Sequence, residues 1–197
     1  ERGERARRHN HALVELGMRV WHEDCTFETA IAEICEVAAD TLELERVNVW
    51  RVEAETQQLR CVHAYFRSEE MHNPPGYEEC LLLESEYSTQ LGEVRVIDIT
   101  DVGNDSTVSA SERMLGAYLR RHDIHSLLDA PIRAEGVLLG VVCHEHVGPP
   151  REFAQHRVKV YPAVAIRQRD RLDLRSPGRI ALACRDYQRA ADERPCR

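Results

Sequence analysis

The sequence predicts an α+β domain built on an antiparallel sheet, with helices packed on one face. Its clearest feature is a pair of apolar runs, Ser126–Ala134 and Val137–Val147, joined only by Glu135-Gly136, which is typical of a β-hairpin. A second pair of β-rich runs, Arg46–Glu53 and Leu59–Phe66, is joined by a short polar segment. Two neighbouring hairpins indicate an antiparallel sheet, and the helical patterns around them predict helices that pack on it.

One helix is predicted before the first strand pair. Thr26 is a suitable N-cap, and Glu28 lies in the first turn, where the helix dipole favours an acidic side chain. The apolar residues that follow recur at helical spacing up to about Leu44, which predicts a helix lying against the sheet. They are Phe27, Ile31, Ile34, Ala38 and Leu42.

The segment between the two hairpins is less regular. Residues 67–80 are predicted to form a loop, broken by Pro74-Pro75-Gly76, and residues 81–94 a strand followed by a short helix. Arg95–Thr100 is predicted to be a strand. A helix capped by Ser109 or Ser111 then leads to the final hairpin.

Charge is distributed unevenly along the 197 residues. Residues 1–150 carry 14 Lys/Arg against 28 Asp/Glu, whereas residues 151–197 carry 12 against 6. The acidic body gives no reason to expect nucleic-acid or membrane binding. The seven cysteines are scattered singly without a CxxC pair, so neither disulfides nor a zinc site is predicted, and a reduced cytoplasmic location is expected.

Three regions are distinguished along the chain. Residues 1–23 are predicted to form a linker or dimerisation helix, because Ala6, His9, Leu13, Leu16 and Val20 make a narrow apolar stripe. Residues 24–150 form the main domain. Residues 151–197 form an atypical basic tail, with short helices, sequence divergence or a shifted reading frame as open interpretations.

The final hairpin carries a resemblance to a known family. The segment LLDAPIR at residues 127–133, the glycines Gly136 and Gly140, and the segment VVCHEHVGPP at residues 141–150 resemble the last two strands of GAF domains from bacterial signalling proteins. The resemblance implies a GAF-like sheet, terminal helices that form a bundle, and a homodimer held by those helices. It also implies an effector domain, a kinase or cyclase, in the full-length protein.

The resemblance further implies a ligand pocket over the sheet. We predict that aromatic, histidine and methionine side chains line it, each having core packing as the alternative role. They are Trp50, His63, Tyr65, Tyr77, Tyr87, Met114, Tyr118 and His144. No cofactor is identified, and no catalytic residue or metal ligand is assigned.

Several specific chemistries have weaker signals in the sequence. His144 and His146 have a spacing that can bind a metal, but a structural role is favoured. In bilin-binding GAF domains a Cys-His dipeptide lies on the helix before the final hairpin, whereas Cys143-His144 lies within the last strand. The cyclic-nucleotide signature of the family is absent from the sequence. The acidic edge of Asp98, Asp101 and Asp105 is interpreted as solvated, with a divalent-cation site as the alternative.

The resulting prediction is a non-catalytic sensory or dimerisation module that binds a small ligand or responds to redox change. One alternative is a redox enzyme of the free methionine sulfoxide reductase type, in which Cys61, Cys80 and Cys143 would have to converge. The other alternative is a structural dimerisation domain without a ligand.

Overall fold

The structure is a computed structural model that describes residues 27–83, 85–93, 96–104, 115–134 and 136–153. Within these ranges the chain forms three helices and seven strands. The helices are α1 (Phe27–Leu42), α2 (Ser85–Glu93) and α3 (Leu115–Arg121). The strands are β1 (Arg46–Glu53), β2 (Gln58–Phe66), β3 (Met71–His72), β4 (Cys80–Leu82), β5 (Ile97–Ile99), β6 (Ile124–Ala134) and β7 (Val137–Val147).

The strands form one antiparallel sheet in the order β3-β2-β1-β7-β6-β5, and β4 pairs with the start of β2. The predicted hairpins are confirmed as β1-β2 and β6-β7. The turn of the second hairpin contains Gly136 at a φ of 82°, a left-handed conformation that glycine adopts without strain. The α+β class and the antiparallel sheet are therefore as the sequence predicts.

Close contact between the two central strands requires a glycine in β7. A Cβ atom added to Gly140 would lie 2.2 Å from the carbonyl oxygen of Trp50 in β1. The β1-β2 pairing is also irregular between Val49 and Trp50. The centre of the sheet thus has no room for a side chain at position 140.

Helix α1 covers one face of the sheet, called here the helix face. Its residues Ile31, Cys35, Ala38 and Ala39 are buried against alternate residues of the central strands. Those strand residues include Val47, Val49, Tyr65, Leu128, Ala130 and Val142. The end of α1 is closed by a hydrogen bond from the Leu44 amide to the Ala39 carbonyl.

The other face of the sheet is covered by α2 and α3 and is called the cavity face. Tyr87 and Leu91 of α2, with Tyr118 and Leu119 of α3, are buried there. Of the three described helices, α1 thus lies on the helix face, and α2 and α3 lie on the cavity face. Successive side chains along a strand point to opposite faces of the sheet, so neighbouring strand residues belong to different cores.

Three smaller features differ from the predictions. The predicted loop 67–80 contains β3, which pairs with the end of β2. A register shift near the start of β7 places Leu138 in the cavity-face core and Leu139 in the helix-face core, the reverse of simple alternation. Phe153, beyond the predicted limit of the main domain, is buried against the helix-face core.

Among the described residues, no helix has the length and hydrophobicity needed to cross a membrane. The predicted N-terminal helix, the N-cap Thr26, the terminal bundle and the basic tail after residue 153 lie outside the described residues.

Candidate ligand cavity

Strand alternation places polar side chains of the two central strands on the cavity face. Arg46, Asn48 and Trp50 occupy alternate positions along β1. In the register of β1 with β7, Arg46 stands opposite Glu145 and Asn48 stands opposite Cys143. Two charges of opposite sign are therefore brought face to face under α3.

A cavity of about 20 Å³ lies between this face and the helices α2 and α3. This volume has room for one or two water-sized groups. The rings of Trp50 and Tyr118 meet edge to face in its wall, with centroids 5.4 Å apart. Leucine side chains form much of the remaining wall, together with Tyr87, Asp129, Cys143 and Glu145.

Glu145 is the centre of a buried hydrogen-bond network. Its Oε1 atom accepts hydrogen bonds from the Tyr118 hydroxyl at 2.8 Å and from Asn48 Nδ2 at 2.9 Å. Its Oε2 atom lies 3.3 Å from Nη1 of Arg46, which stacks over the Phe66 ring. Burial raises the pKa of Glu145 to about 7, although the Arg46 charge and these hydrogen bonds act in the opposite direction.

Asp129 is a second buried carboxyl group in the cavity wall. The Tyr87 hydroxyl donates a hydrogen bond to its Oδ2 atom at 2.6 Å. Burial raises the pKa of Asp129 to about 6, and the hydrogen bonds from Tyr87 and Cys143 only partly oppose this effect. Near neutral pH both acids of the wall are thus close to their titration range.

Some polar atoms around the cavity lack a hydrogen-bond partner within the part of the chain that the structure describes. They are Trp50 Nε1, Asp129 Oδ1 and Glu145 Oε2, the last of which has only the ionic contact with Arg46. All three residues are at most 2% exposed. An unsatisfied buried group costs about 1–3 kcal/mol, so the fold gains free energy when a polar group, water included, reaches one of these atoms.

The segment between β3 and β4 fastens α3 over the cavity. The Tyr77 and Tyr118 hydroxyls are 2.7 Å apart. Glu79 pairs with Arg121 at 2.6 Å and with His122 at 3.0 Å, both at the end of α3. Residues 77–79 therefore hold the helix that carries Tyr118 in place.

The helix face carries a different polar arrangement. A hydrogen bond of 2.9 Å joins His63 Nε2 to His72 Nδ1, and another of 2.7 Å joins His72 Nε2 to Glu36 of α1. Burial and the neighbouring His72 lower the pKa of His63 to about 4. His144 Nδ1 lies 2.9 Å from the Leu128 carbonyl oxygen. These imidazoles lie across the sheet from the cavity.

The structure separates the predicted pocket residues into two groups. Trp50, Tyr87 and Tyr118 line the cavity, and Tyr77 contacts Tyr118 behind it. The other described residues of the prediction do not reach the cavity. His63 and His144 pair with Val49 and with Val47, both helix-face residues, and Tyr65 belongs to the helix-face core. Met114 lies outside the described residues.

Sequence reasoning missed the polar residues of the cavity face: Arg46, Asn48, Asp129 and Glu145. A usable signal existed for three of them, because Asn48, Asp129 and Glu145 each interrupt an apolar strand, where a polar residue must find a partner. The pairing between them depends on strand register, which the composition of each strand does not reveal.

Within the part of the chain that the structure describes, the cysteines and acidic residues do not form a second chemical site. Burial raises the pKa of Cys61 to about 12 and that of Cys143 well above its ordinary value, so both thiols are held protonated. No disulfide joins the described cysteines. Among the described residues, no group of three or more His, Cys, Asp or Glu side chains is arranged to hold a metal ion.

Comparison with known structures shows the fold. The phycocyanobilin-bound GAF domain from a cyanobacterial phytochrome has a TM-score of 0.60 at 15% identity, over 77% of this chain and 86% of that one. A far-red cyanobacteriochrome photoreceptor has a TM-score of 0.56 at 16% identity, over 83% and 86% of the two chains. The phycoerythrobilin-bound GAF domain from a cyanobacterial phytochrome has a TM-score of 0.56 at 15% identity, over 96% and 98%.

No curated protein sequence matches the chain significantly. The sequence profile of the GAF domain family, in contrast, matches residues 26–167, which is most of the chain. This range includes the whole sheet and α1 to α3. The profile match and the shared fold agree with the resemblance seen in the final hairpin, and the chain belongs to the GAF domain family.

Proposed function

We propose that the chain is a non-catalytic sensory module of a bacterial signalling protein and that it binds a small polar ligand in the cavity under α3. The observation that carries the proposal is the set of buried, unsatisfied polar atoms around that cavity. In native proteins such atoms are few, and each calls for a partner such as an ordered water or a ligand. Ligand binding would stabilise one position of α3 and its neighbours over others.

The similar structures named above are bilin-bound or photoreceptor domains, but a bilin is not the ligand proposed here. The sequence has no cysteine between Cys80 and Cys143, so α3 carries no thiol for covalent attachment. A cavity of about 20 Å³ is also far smaller than the several hundred Å³ of a drug-sized pocket. A ligand of a few heavy atoms is better supported.

The full-length protein would couple this module to an effector domain, a kinase or cyclase. In the proposal, terminal helices join two copies of the chain and transmit the change. A redox enzyme is less well supported, because buried Cys61 and Cys143 have raised thiol pKa values and thiols must ionise to act as nucleophiles.

A thermal-shift screen with native mass measurement tests the proposal. Libraries of amines, amino acids, nucleotides, organic acids and divalent cations are added to the purified chain, and a specific ligand raises the melting temperature by mass action. Tyr118→Phe should reduce the shift, because it removes a hydroxyl beside the cavity. Tyr65→Phe, on the helix face, is the matched control and should leave the shift unchanged.

The small cavity supports a second candidate, a dimerisation domain that binds no ligand. If no compound raises the melting temperature and the native mass is that of a dimer, this candidate is favoured and the sensory proposal is overturned. A ligand whose thermal shift is equal in wild type, Tyr118→Phe and Tyr65→Phe would show that the cavity is not its site.

A further inference from the structure

Four polar side chains on the helix face form a continuous hydrogen-bonded series from the edge of the sheet to α1. Asn73 Nδ2 lies 3.4 Å from His63 Nδ1, and His63 Nε2 lies 2.9 Å from His72 Nδ1. His72 Nε2 lies 2.7 Å from Glu36 Oε1. We call these four side chains the histidine bridge. It joins β2, the two-residue strand β3 with the residue after it, and α1.

Donor and acceptor roles along the histidine bridge follow from one backbone hydrogen bond. The Ala64 amide donates to Asn73 Oδ1 at 2.8 Å, so it is the Nδ2 group of Asn73 that faces His63. Nδ2 is a donor, and His63 Nδ1 therefore accepts. The hydrogen of His63 then lies on Nε2 and is donated to His72 Nδ1. By the same logic the hydrogen of His72 lies on Nε2 and is donated to Glu36.

In this arrangement both imidazoles are neutral, and each link has one donor and one acceptor. A proton added to His72 would lie on Nδ1, opposite the Nε2 hydrogen of His63. A proton added to His63 would lie on Nδ1, opposite the Nδ2 hydrogens of Asn73. Each addition sets two donors against each other, so the imidazoles take up a proton only when a link of the bridge breaks.

The surroundings of the bridge also disfavour a charged His63. This residue is 6% exposed, and burial together with the neighbouring His72 lowers its pKa to about 4. Its partner in β1 is the apolar Val49. The other titratable and charged groups around the two imidazoles come from α1, β2 and the turn between β2 and β3. They are Cys35, Glu36 and Asp40 on α1, Cys61 and Tyr65 on β2, and Arg67 and Glu70 in the turn.

We propose that the histidine bridge is a proton-sensitive switch that holds β3 and Asn73 against β2 and α1 at neutral pH and releases them on acidification. Strand β3 pairs with β2 through two residues only, so side-chain links are a large part of what holds it. The segment after β3 carries Tyr77 and Glu79, which hold α3, so the switch acts on the start of that segment. This inference goes beyond the proposed sensory function and needs no ligand.

Hydrogen exchange at the Asn73 amide, measured on the whole chain, tests the proposal. This amide donates to the Ala64 carbonyl at 2.8 Å, so it exchanges only when the end of β3 opens. In the open state His63 regains its ordinary pKa of about 6.5, whereas in the closed state it binds a proton only near pH 4. Between pH 7.5 and 5.5 the protection factor, corrected for the intrinsic exchange rate, should therefore fall about tenfold.

NMR of the imidazole nitrogens gives a second readout. At pH 7.5 long-range nitrogen–proton correlation spectra should show His63 and His72 as neutral rings with the hydrogen on Nε2. A hydrogen on Nδ1 of either ring would contradict the order of donors and acceptors and would overturn the proposal.

Two variants of the bridge sharpen the test. His63→Gln removes a titrating group, so the amide of Asn73 should lose most of its pH dependence. Asn73→Asp replaces the opposing donor with an acceptor, and Asp, like Asn, tolerates the left-handed backbone found here, with a φ of 45°. In this variant His63 can bind a proton at Nδ1 without breaking a link. The loss of protection at position 73 should then shrink to about threefold or less.

His125→Gln is the matched control, because His125 is an exposed histidine outside the bridge. It should keep the tenfold change. A wild-type protection factor that does not change between pH 7.5 and 5.5 would overturn the proposal, and so would an equal loss in His63→Gln. If circular dichroism shows that His63→Gln does not fold, Asn73→Asp decides, since a loss as large as that of wild type contradicts the switch. None of these results depends on the ligand screen, so either proposal can fail while the other stands.

Discussion

The two faces of the sheet bury their polar groups in different ways. On the helix face the buried polar side chains include the imidazoles of His63, which has a lowered pKa of about 4 and contacts His72, and of His144, which contacts the Leu128 carbonyl. On the cavity face they include the carboxyl groups of Asp129 and Glu145 and the guanidinium group of Arg46. An imidazole can be buried near neutral pH without a charge, whereas a carboxyl group must hold a proton or a partner.

The difference gives the two faces opposite responses to pH. The pKa values of Asp129 and Glu145 are higher in the folded chain, so their contribution to stability is full below about pH 4 and is lost as pH rises through about 6 and 7. The pKa of His63 is lower in the folded chain, so its contribution is full above about pH 6.5 and is lost as pH falls towards 4. Near neutral pH the helix face therefore contributes to the stability of the fold. The cavity face loses stability at the same pH, because its two buried carboxyl groups ionise, and a ligand that contacts them would offset this loss.

The largest expected effect comes from two neighbouring leucines of β6 that lie on opposite faces. Leu128→Ala should lower the free energy of unfolding by about 3–4 kcal/mol, because it opens a void in the packed helix face. Leu127→Ala should cost about 2–3 kcal/mol, since water that enters beside the existing cavity can hydrate Asp129 and Glu145. Urea unfolding at pH 7.5 measures both, and equal losses would show that the faces are equally well packed.

A smaller effect is expected from neutralising one buried acid. Asp129→Asn should raise the free energy of unfolding at pH 8 by on the order of 2 kcal/mol, because the ionised carboxyl group opposes folding above its pKa of about 6. At pH 4 the variant and wild type should be nearly equal, since the carboxyl group is then protonated in the folded chain. Urea unfolding at both pH values, with exposed Asp40→Asn as control, checks the sign. Destabilisation at pH 8 would refute the interpretation of this acid.

The smallest expected effect concerns the helix face. When the pH falls from 7.5 to 5.5, His63 should lower the free energy of unfolding of the wild-type chain by about 1 kcal/mol. The unfolded chain takes up a proton at His63 over this range, and the folded chain does not. His63→Gln should remove this part of the pH dependence, whereas His125→Gln, at an exposed position, should leave it intact. If His63→Gln retained the full loss on acidification, another group would have to account for it.

The hairpins were predictable because each is local. The final one needs only two alternating runs and Glu135-Gly136 between them, and the structure places β6 and β7 within two residues of the prediction. The helix before β1 was equally clear from its apolar spacing. The two-residue strand β3 was not, because it exists through its pairing with Tyr65 and Phe66 and has no periodicity of its own.

The candidate site was only partly predictable. Residue type alone indicates Trp50, Tyr87 and Tyr118, but it indicates His63, Tyr65 and His144 from the opposite face equally well. The bulge at Trp50 and the register shift near Leu138 change the side to which strand residues point. Faces counted from sequence alone become unreliable after such an irregularity.

The sequence by itself determined helix α1, the four long strands, the antiparallel pairing within each hairpin and the family, because these depend on short-range patterns and on motifs in contiguous segments. Only the tertiary structure decided that Arg46, Asn48 and Glu145 meet, that Asp129 lies near them, and that α3 lies over a small cavity. The reason is physical: the partners Asn48 and Glu145 are 97 residues apart, and only the register between β1 and β7 brings them into contact.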